Sequence, residues 1–149
     1  MEWVELTKEA ISKTLETMFF TFVEFDGTDE DSSYEKVDKI TSYIKLSSDK
    51  TSAFIVISIV EPLAFQMAAD FTGTIVEKVK REDVEDCLRE LANMVGGYCV
   101  NSMGGRYSLG LPQIGFPSET GATNQCSSFS LFVLGEKFGE MTVCVVQSQ

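Results

Sequence analysis

Histidine is absent from this sequence of 149 residues. Without an imidazole the chain cannot build a Ser-His or Cys-His nucleophile pair, a histidine metal site or a histidine acid-base relay. Basic residues are scarce: 12 Lys and Arg stand against 23 Asp and Glu, for a formal net charge of -11. Nucleic-acid phosphates need clustered Lys and Arg, so a nucleic-acid partner is excluded. An acidic surface serves solubility, or docking on a partner with a basic face. No apolar run reaches the roughly 18 residues that span a bilayer, so no membrane segment is expected. The opening "MEWVELTKEA" has no basic segment followed by an apolar core, so no signal peptide is visible and a cytoplasmic location is expected. Cys87, Cys99, Cys126 and Cys144 form no CxxC pair and no zinc ligand set. In a cytoplasmic protein they are expected to be buried thiols without a disulfide framework.

What is present is a globular balance, 44% hydrophobic and 23% charged, in a length that suits one domain with a single core. Residues 3–23 carry Val4, Ile11, Leu15, Met18 and Phe22 at helical spacing and read as a long helix. "DGTDEDSS" (26–33) fits an EF-hand loop poorly and reads as a solvated turn. Residues 39–48 alternate Ile40, Ser42, Ile44 and Leu46, and "DK" (49–50) makes a turn. "TSAFIVISIV" (51–60) is dense in β-branched residues, as a buried central strand would be. Pro62 opens a short apolar helix that Gly73 stops. Residues 81–103 form a second long helix, with Glu82 and Asp83 favourably near its positive end. Three strand-like stretches follow at 107–116, 125–134 and 139–147, and "MTVCVV" in the last would make a sticky sheet edge if left bare.

Compared at an offset of 74, Ser12, Glu16 and Met18 fall opposite Asp86, Glu90 and Ala92, and the strand at 51–60 falls opposite 125–134. The pattern suggests a duplicated helix-plus-hairpin unit, with halves of about 1–74 and 75–149 in one 1–149 domain.

In the second long helix, Asp86, Glu90, Asn93 and Gly97 lie within roughly 60° of one another at about 100° per residue. Val84, Leu88, Leu91, Val95 and Cys99 occupy the opposite side. The apolar stripe must pack on a sheet, so the polar stripe faces outward. Every surface helix has a polar face, and that alone gives it no function. Asn and Gly are weak helix formers, however, and their presence in mid-helix costs stability.

The pattern Asp86-x3-Glu90-x2-Asn93, followed by Gly97 and by Pro112 in "LGLPQIG", resembles the signature of the CheC/CheX family of chemotaxis phosphatases. Pro117 competes with Pro112 for the matching proline, with 23 rather than 18 residues after Asn93. The resemblance implies an α+β, CheC-like fold, a pseudo-twofold repeat of long helix plus β-hairpin with the helices packed on an antiparallel sheet. It also implies hydrolysis of the aspartyl phosphate on a CheY-type receiver. Glu90 would contact the receiver's active-site lysine, and Asn93 would orient the attacking water. Asp86, Gly97 and Pro112 would support docking. The protein would carry no cofactor or metal of its own, with Mg2+ held by the receiver, and would form a homodimer. A receiver- or flagellar-switch-binding module without catalysis is the alternative. At the offset of 74, Phe19 stands opposite Asn93, which makes the first helix a catalytically dead copy, as in CheX-like members.

Overall fold

The computed structural model describes residues 3–27, 33–118 and 125–147. Residues 28–32 of the acidic stretch lie outside the described residues. The element order is α1 (Trp3–Phe19), α2 (Ser33–Lys36), β1 (Lys39–Ser47), β2 (Thr51–Val60) and α3 (Glu61–Thr72). A 3-10 turn at Val76–Lys78 leads to α4 (Arg81–Ser102) and the short strands β3 (Ser108–Leu109) and β4 (Gln113–Ile114). The chain closes with β5 (Gln125–Val133) and β6 (Glu136–Gln147).

Local chemistry explains most boundaries. Ser48 closes the β1–β2 turn, its amide and hydroxyl both donating to the Thr51 carbonyl. Pro62 sits in the first turn of α3, and Gly73 ends it at φ 72°, a left-handed conformation that glycine adopts without strain. At the start of α4 the Asp83 carboxylate accepts from the Lys80 amide at 2.9 Å. α1 differs from its sequence expectation: it stops at Phe19, four residues early. Phe20 takes φ 52° and the Thr21 amide donates back to the Leu15 carbonyl at 3.1 Å, a left-handed helix stop built without glycine. Phe22, expected on the buried stripe, is therefore 69% exposed.

All strands belong to one sheet of order β3-β1-β2-β6-β5, with β4 also on β1 and every pairing antiparallel. β2 is central, as its β-branched composition demands. So is β6: "MTVCVV" lies between β2 and β5 and is no edge. The edge strand on that side is β5, where Glu24 and Phe132 exchange two backbone hydrogen bonds of 2.8 Å. β6 begins at Glu136 rather than Gly139, because Leu134 and Gly135, both at positive φ, make a two-residue turn just before it. Gly139 stands inside the strand where a Cβ would strike the Ser58 carbonyl. The expected strand at 107–116 is two short pieces on β1, interrupted by a loop at 110–112.

α1, α3 and α4 bury their apolar stripes against Ile40, Ile44, Ile55, Ile57 and Met141 of the sheet in one continuous core. Each fully buried Ile or Leu contributes roughly 1.5–3 kcal/mol. Phe54, Val56 and Cys144 form a smaller cluster with Tyr43 and Val146. Cys126 and Cys144, directly opposite across β5 and β6, are joined by a disulfide. This corrects the expectation of four free thiols: antiparallel pairing brought together two cysteines that are 18 residues apart. Cys87 and Cys99 are the buried free thiols. No described helix is long and apolar enough to cross a membrane.

The order β1-β2-β6-β5, with β2 antiparallel to β6, relates the two hairpins by a local dyad that exchanges β1 with β5 and β2 with β6. The offset of 74 had instead set β2 opposite β5. The start of β5 lies 86 residues after that of β1 (125 minus 39). The helices follow at 81: Leu6, Thr7, Ala10, Ile11, Thr14 and Leu15 fall on Cys87, Leu88, Leu91, Ala92, Val95 and Gly96, and all twelve are buried. Periodicity alone fixed the offset only to within a helical turn or two, and burial favours 81, where all six buried positions of α1 fall on buried positions of α4.

Candidate active site

α4 presents the polar stripe as its periodicity demands. Val84, Leu88, Leu91, Val95 and Cys99 are buried, Asp86 is exposed, and Glu90, Asn93 and Gly97 are partly exposed on the other side. Asp86 is not free: its carboxylate accepts from Arg89 at 2.8 Å, and Arg89 also pairs with Glu85. Among the described residues neither the Glu90 nor the Asn93 side chain makes a hydrogen bond or ion pair. The Glu90 charge is felt inside the helix. Burial first, then Asp70 and then Glu90, pushes the Cys87 thiol up to about 12.

Asn93 and Gly97 open onto a groove of about 430 Å³ between α4 and α1, which also takes in Lys13, Thr17, Asn101 and Leu109. The helices run antiparallel along it, since Tyr98 of α4 donates to Glu9 of α1 at 2.5 Å while Thr17 lies near Asn93. The two glycines of the last turns differ. A Cβ on Gly96 would come within 2.8 Å of Leu109 Cδ1 and 3.0 Å of Ile44 Cγ2, so β3 and β1 require glycine there. A Cβ on Gly97 would meet nothing within 4 Å. Among the described residues nothing explains Gly97.

The groove thus gathers Asn93 and Gly97, with Glu90 one turn toward the N-terminus on the same stripe. Pro112, half-buried between β3 and β4, does not line it, and Pro117 is buried beyond β4. Sequence reasoning missed Lys13, Thr17 and Leu109, because their place depends on how α1 crosses α4. The helix register of 81 also replaces the earlier pairing of Phe19 with Asn93. Glu5, Glu9 and Ser12 are the counterparts of Asp86, Glu90 and Asn93. Ser12 has a side chain one bond shorter than Asn93, and Glu9 is engaged by Tyr98, whereas Glu90 is free. Thr17, the counterpart of Tyr98, is too short to do the same to Glu90. Among the described residues no group of three His, Cys, Asp or Glu side chains is placed to hold a metal ion.

α4 thus offers the Asn93 amide to an open groove, with the unpaired Glu90 carboxylate one turn away on the same stripe. The sequence profile described as chemotaxis phosphatase CheX matches residues 40–133, more than half of the chain. The chain belongs to the CheX family. No curated protein sequence matches it significantly. Among solved structures it is similar to chemotaxis protein CheX from Vibrio vulnificus, with a TM-score of 0.77 at 16% identity over 98% of this chain and 97% of that one. A CheC-like superfamily protein from Shewanella sp. PV-4 gives 0.74 at 16%, covering 98% and 99%. The CheX of a CheX-CheY-BeF3-Mg2+ complex from Borrelia burgdorferi gives 0.68 at 11%, covering 97% of each chain. At such identities these likenesses establish the fold, that of CheX and CheC-like proteins.

Proposed function

We propose that this CheX-family protein accelerates hydrolysis of the aspartyl phosphate on a CheY-type receiver by completing the receiver's active site with Glu90 and Asn93. The observation that carries this is that both side chains leave one face of α4 without an intramolecular partner, Asn93 beside an open groove. Phosphoryl transfer needs positioning and charge stabilisation more than covalent help. An amide both donates and accepts, so Asn93 can hold a water in line with the phosphorus without titrating near neutrality. Glu90 pairs with the receiver's active-site lysine and fixes the approach. The Mg2+ that neutralises phosphoryl charge belongs to the receiver, which is consistent with the Mg2+ of the Borrelia burgdorferi CheX-CheY complex. Gly97 gives the receiver's backbone room against α4. Asp86, paired with Arg89, acts at the periphery, and Pro112 shapes the loop beside β4.

The test is phosphate release from a phosphorylated receiver with Mg2+. Asn93→Ala should lower the rate a hundredfold or more, about 3 kcal/mol of transition-state stabilisation, while binding survives. Glu90→Ala should weaken docking and rate together. Neither should lower the unfolding midpoint, because neither side chain has a partner to lose, and Asn93→Ala should raise it slightly through better helix propensity. Unchanged hydrolysis in both variants would reject the assignment. Tight binding by the wild type with no effect on phosphate lifetime would establish the non-catalytic module instead. The family resemblance further supports a homodimer formed through sheet strands, for which sedimentation of the free protein is the check.

A further inference from the structure

The groove beside Asn93 contains a positive charge that the fold does not use. Lys13 projects from α1 into it, on the wall opposite Asn93. Its ordinary partner on a helix would be Glu9, one turn back at i-4. Glu9 instead accepts from the Tyr98 hydroxyl, which reaches across from α4, and makes no ion pair with Lys13. Glu16, one turn on, makes no ion pair either, so among the described residues Lys13 has no carboxylate partner. Lys8 pairs with Glu5, Arg81 with Glu61 and Glu85, Arg89 with Asp86, and Lys137 with Glu140. Lys36, Lys50 and Lys78 share with Lys13 the lack of a carboxylate partner among the described residues but do not line the groove.

Building on the function proposed above, we infer that Lys13 is a positioning residue of the same site, its ammonium pairing with the anionic groups around the receiver's aspartyl phosphate. A phosphoryl group carries between one and two negative charges near neutrality, and a bound Mg2+ is held by further oxygen anions. The surface presented to the groove is therefore negative at its centre. A flexible ammonium with three donors suits such a surface without demanding one geometry. The arrangement also sets orientation. Glu90 on α4 seeks a cation and Lys13 on α1 seeks an anion, so a receiver docked the other way round would face like charge at both points. Lys13 holds the receiver in both ground and transition states, and Asn93 acts on the attacking water.

The experiment compares wild type, Lys13→Met, Lys13→Arg and Asn93→Ala in phosphate release over a range of receiver concentration and salt. Lys13→Met should raise KM about tenfold and leave kcat within about twofold, the pattern of lost uniform binding. It should also flatten the salt dependence, and Lys13→Arg should restore both. Binding to phosphorylated and unphosphorylated receiver separates the anion sources. Weakening confined to the phosphorylated form assigns the pair to phosphoryl oxygens, and equal weakening assigns it to the metal-holding carboxylates. An unchanged KM and salt slope in Lys13→Met, with Asn93→Ala inactive, would overturn the role of Lys13 alone. Full activity in Asn93→Ala would overturn the underlying function. A thermal midpoint equal to wild type in Lys13→Met excludes a folding defect, since Lys13 is exposed.

Discussion

The pair Gly96-Gly97 separates what the fold requires from what the proposed docking requires. Replacing Gly97 by Ala adds a methyl group where nothing lies within 4 Å. The only intramolecular consequence is better helix propensity, so Gly97→Ala should stabilise the protein by about 0.5–1 kcal/mol. Replacing Gly96 gains the same propensity, but its methyl group meets Leu109 Cδ1 at 2.8 Å and Ile44 Cγ2 at 3.0 Å. Ile44 is fully buried in β1 and cannot withdraw, so the overpacking cost of about 1–3 kcal/mol outweighs the gain. Urea unfolding of the two variants beside wild type should therefore move the midpoints in opposite directions. Phosphate release from a phosphorylated receiver should reverse the ranking. Gly97→Ala should lose tenfold or more in kcat/KM, about 1.4 kcal/mol or above, because its methyl group occupies the space of the approaching backbone. Two results would refute this reasoning. If Gly97→Ala is destabilised, the space above residue 97 is not open. If it is stabilised and fully active, the receiver does not approach there, and the glycine has no docking role.

Other consequences are simpler to check. Thr17→Tyr should place a hydroxyl against Glu90 as Tyr98 does against Glu9, so that receiver binding weakens several-fold while the unfolding midpoint stays put; undiminished binding would show that Glu90 does not need to be free. Ser42 is fully buried and its hydroxyl has no hydrogen-bond partner among the described residues, so Ser42→Ala should be neutral or stabilise by about 1 kcal/mol, whereas a clear loss in urea unfolding would reveal a bond. Burial pushes the Cys87 and Cys99 thiols up to about 12 from an ordinary 9. Their neutral forms favour the fold fully below pH 9, and that contribution falls as pH rises toward 12, where the unfolded thiols ionise first. Stability should decline over this window, and alkylation of the native protein at pH 8 should proceed only as fast as unfolding.

How much of this was legible beforehand follows from the range of each signal. β2, α3 and α4 are set by local chemistry: a β-branched run, a proline and glycine bracket, and a clean apolar stripe. They appear where the sequence placed them. The end of α1 was not legible, because its stop uses a phenylalanine at positive φ where the common signal is glycine. The central place of β6 and the Cys126–Cys144 bond depend on strand order, which no local pattern encodes. The polar stripe of α4 was readable because helix geometry fixes angular position within one element. The groove was not, since Lys13 and Thr17 enter it only through the crossing of two helices far apart in sequence.

That crossing also accounts for how a duplicated frame leaves one face free. With a helix register of 81, the contact between Glu9 and Tyr98 has a symmetry mate between Glu90 and Thr17. Tyrosine spans the gap between the helices and holds its carboxylate. Threonine, with its hydroxyl on Cβ, does not, and Glu90 stays available. The same tyrosine engages the Glu9 carboxylate one turn from Lys13, which has no carboxylate partner among the described residues and lines the α4 groove. On the function proposed above, the asymmetry between the two helices would rest on the length of two side chains at one pair of equivalent positions, as well as on the amide of Asn93 standing where its mate is Ser12.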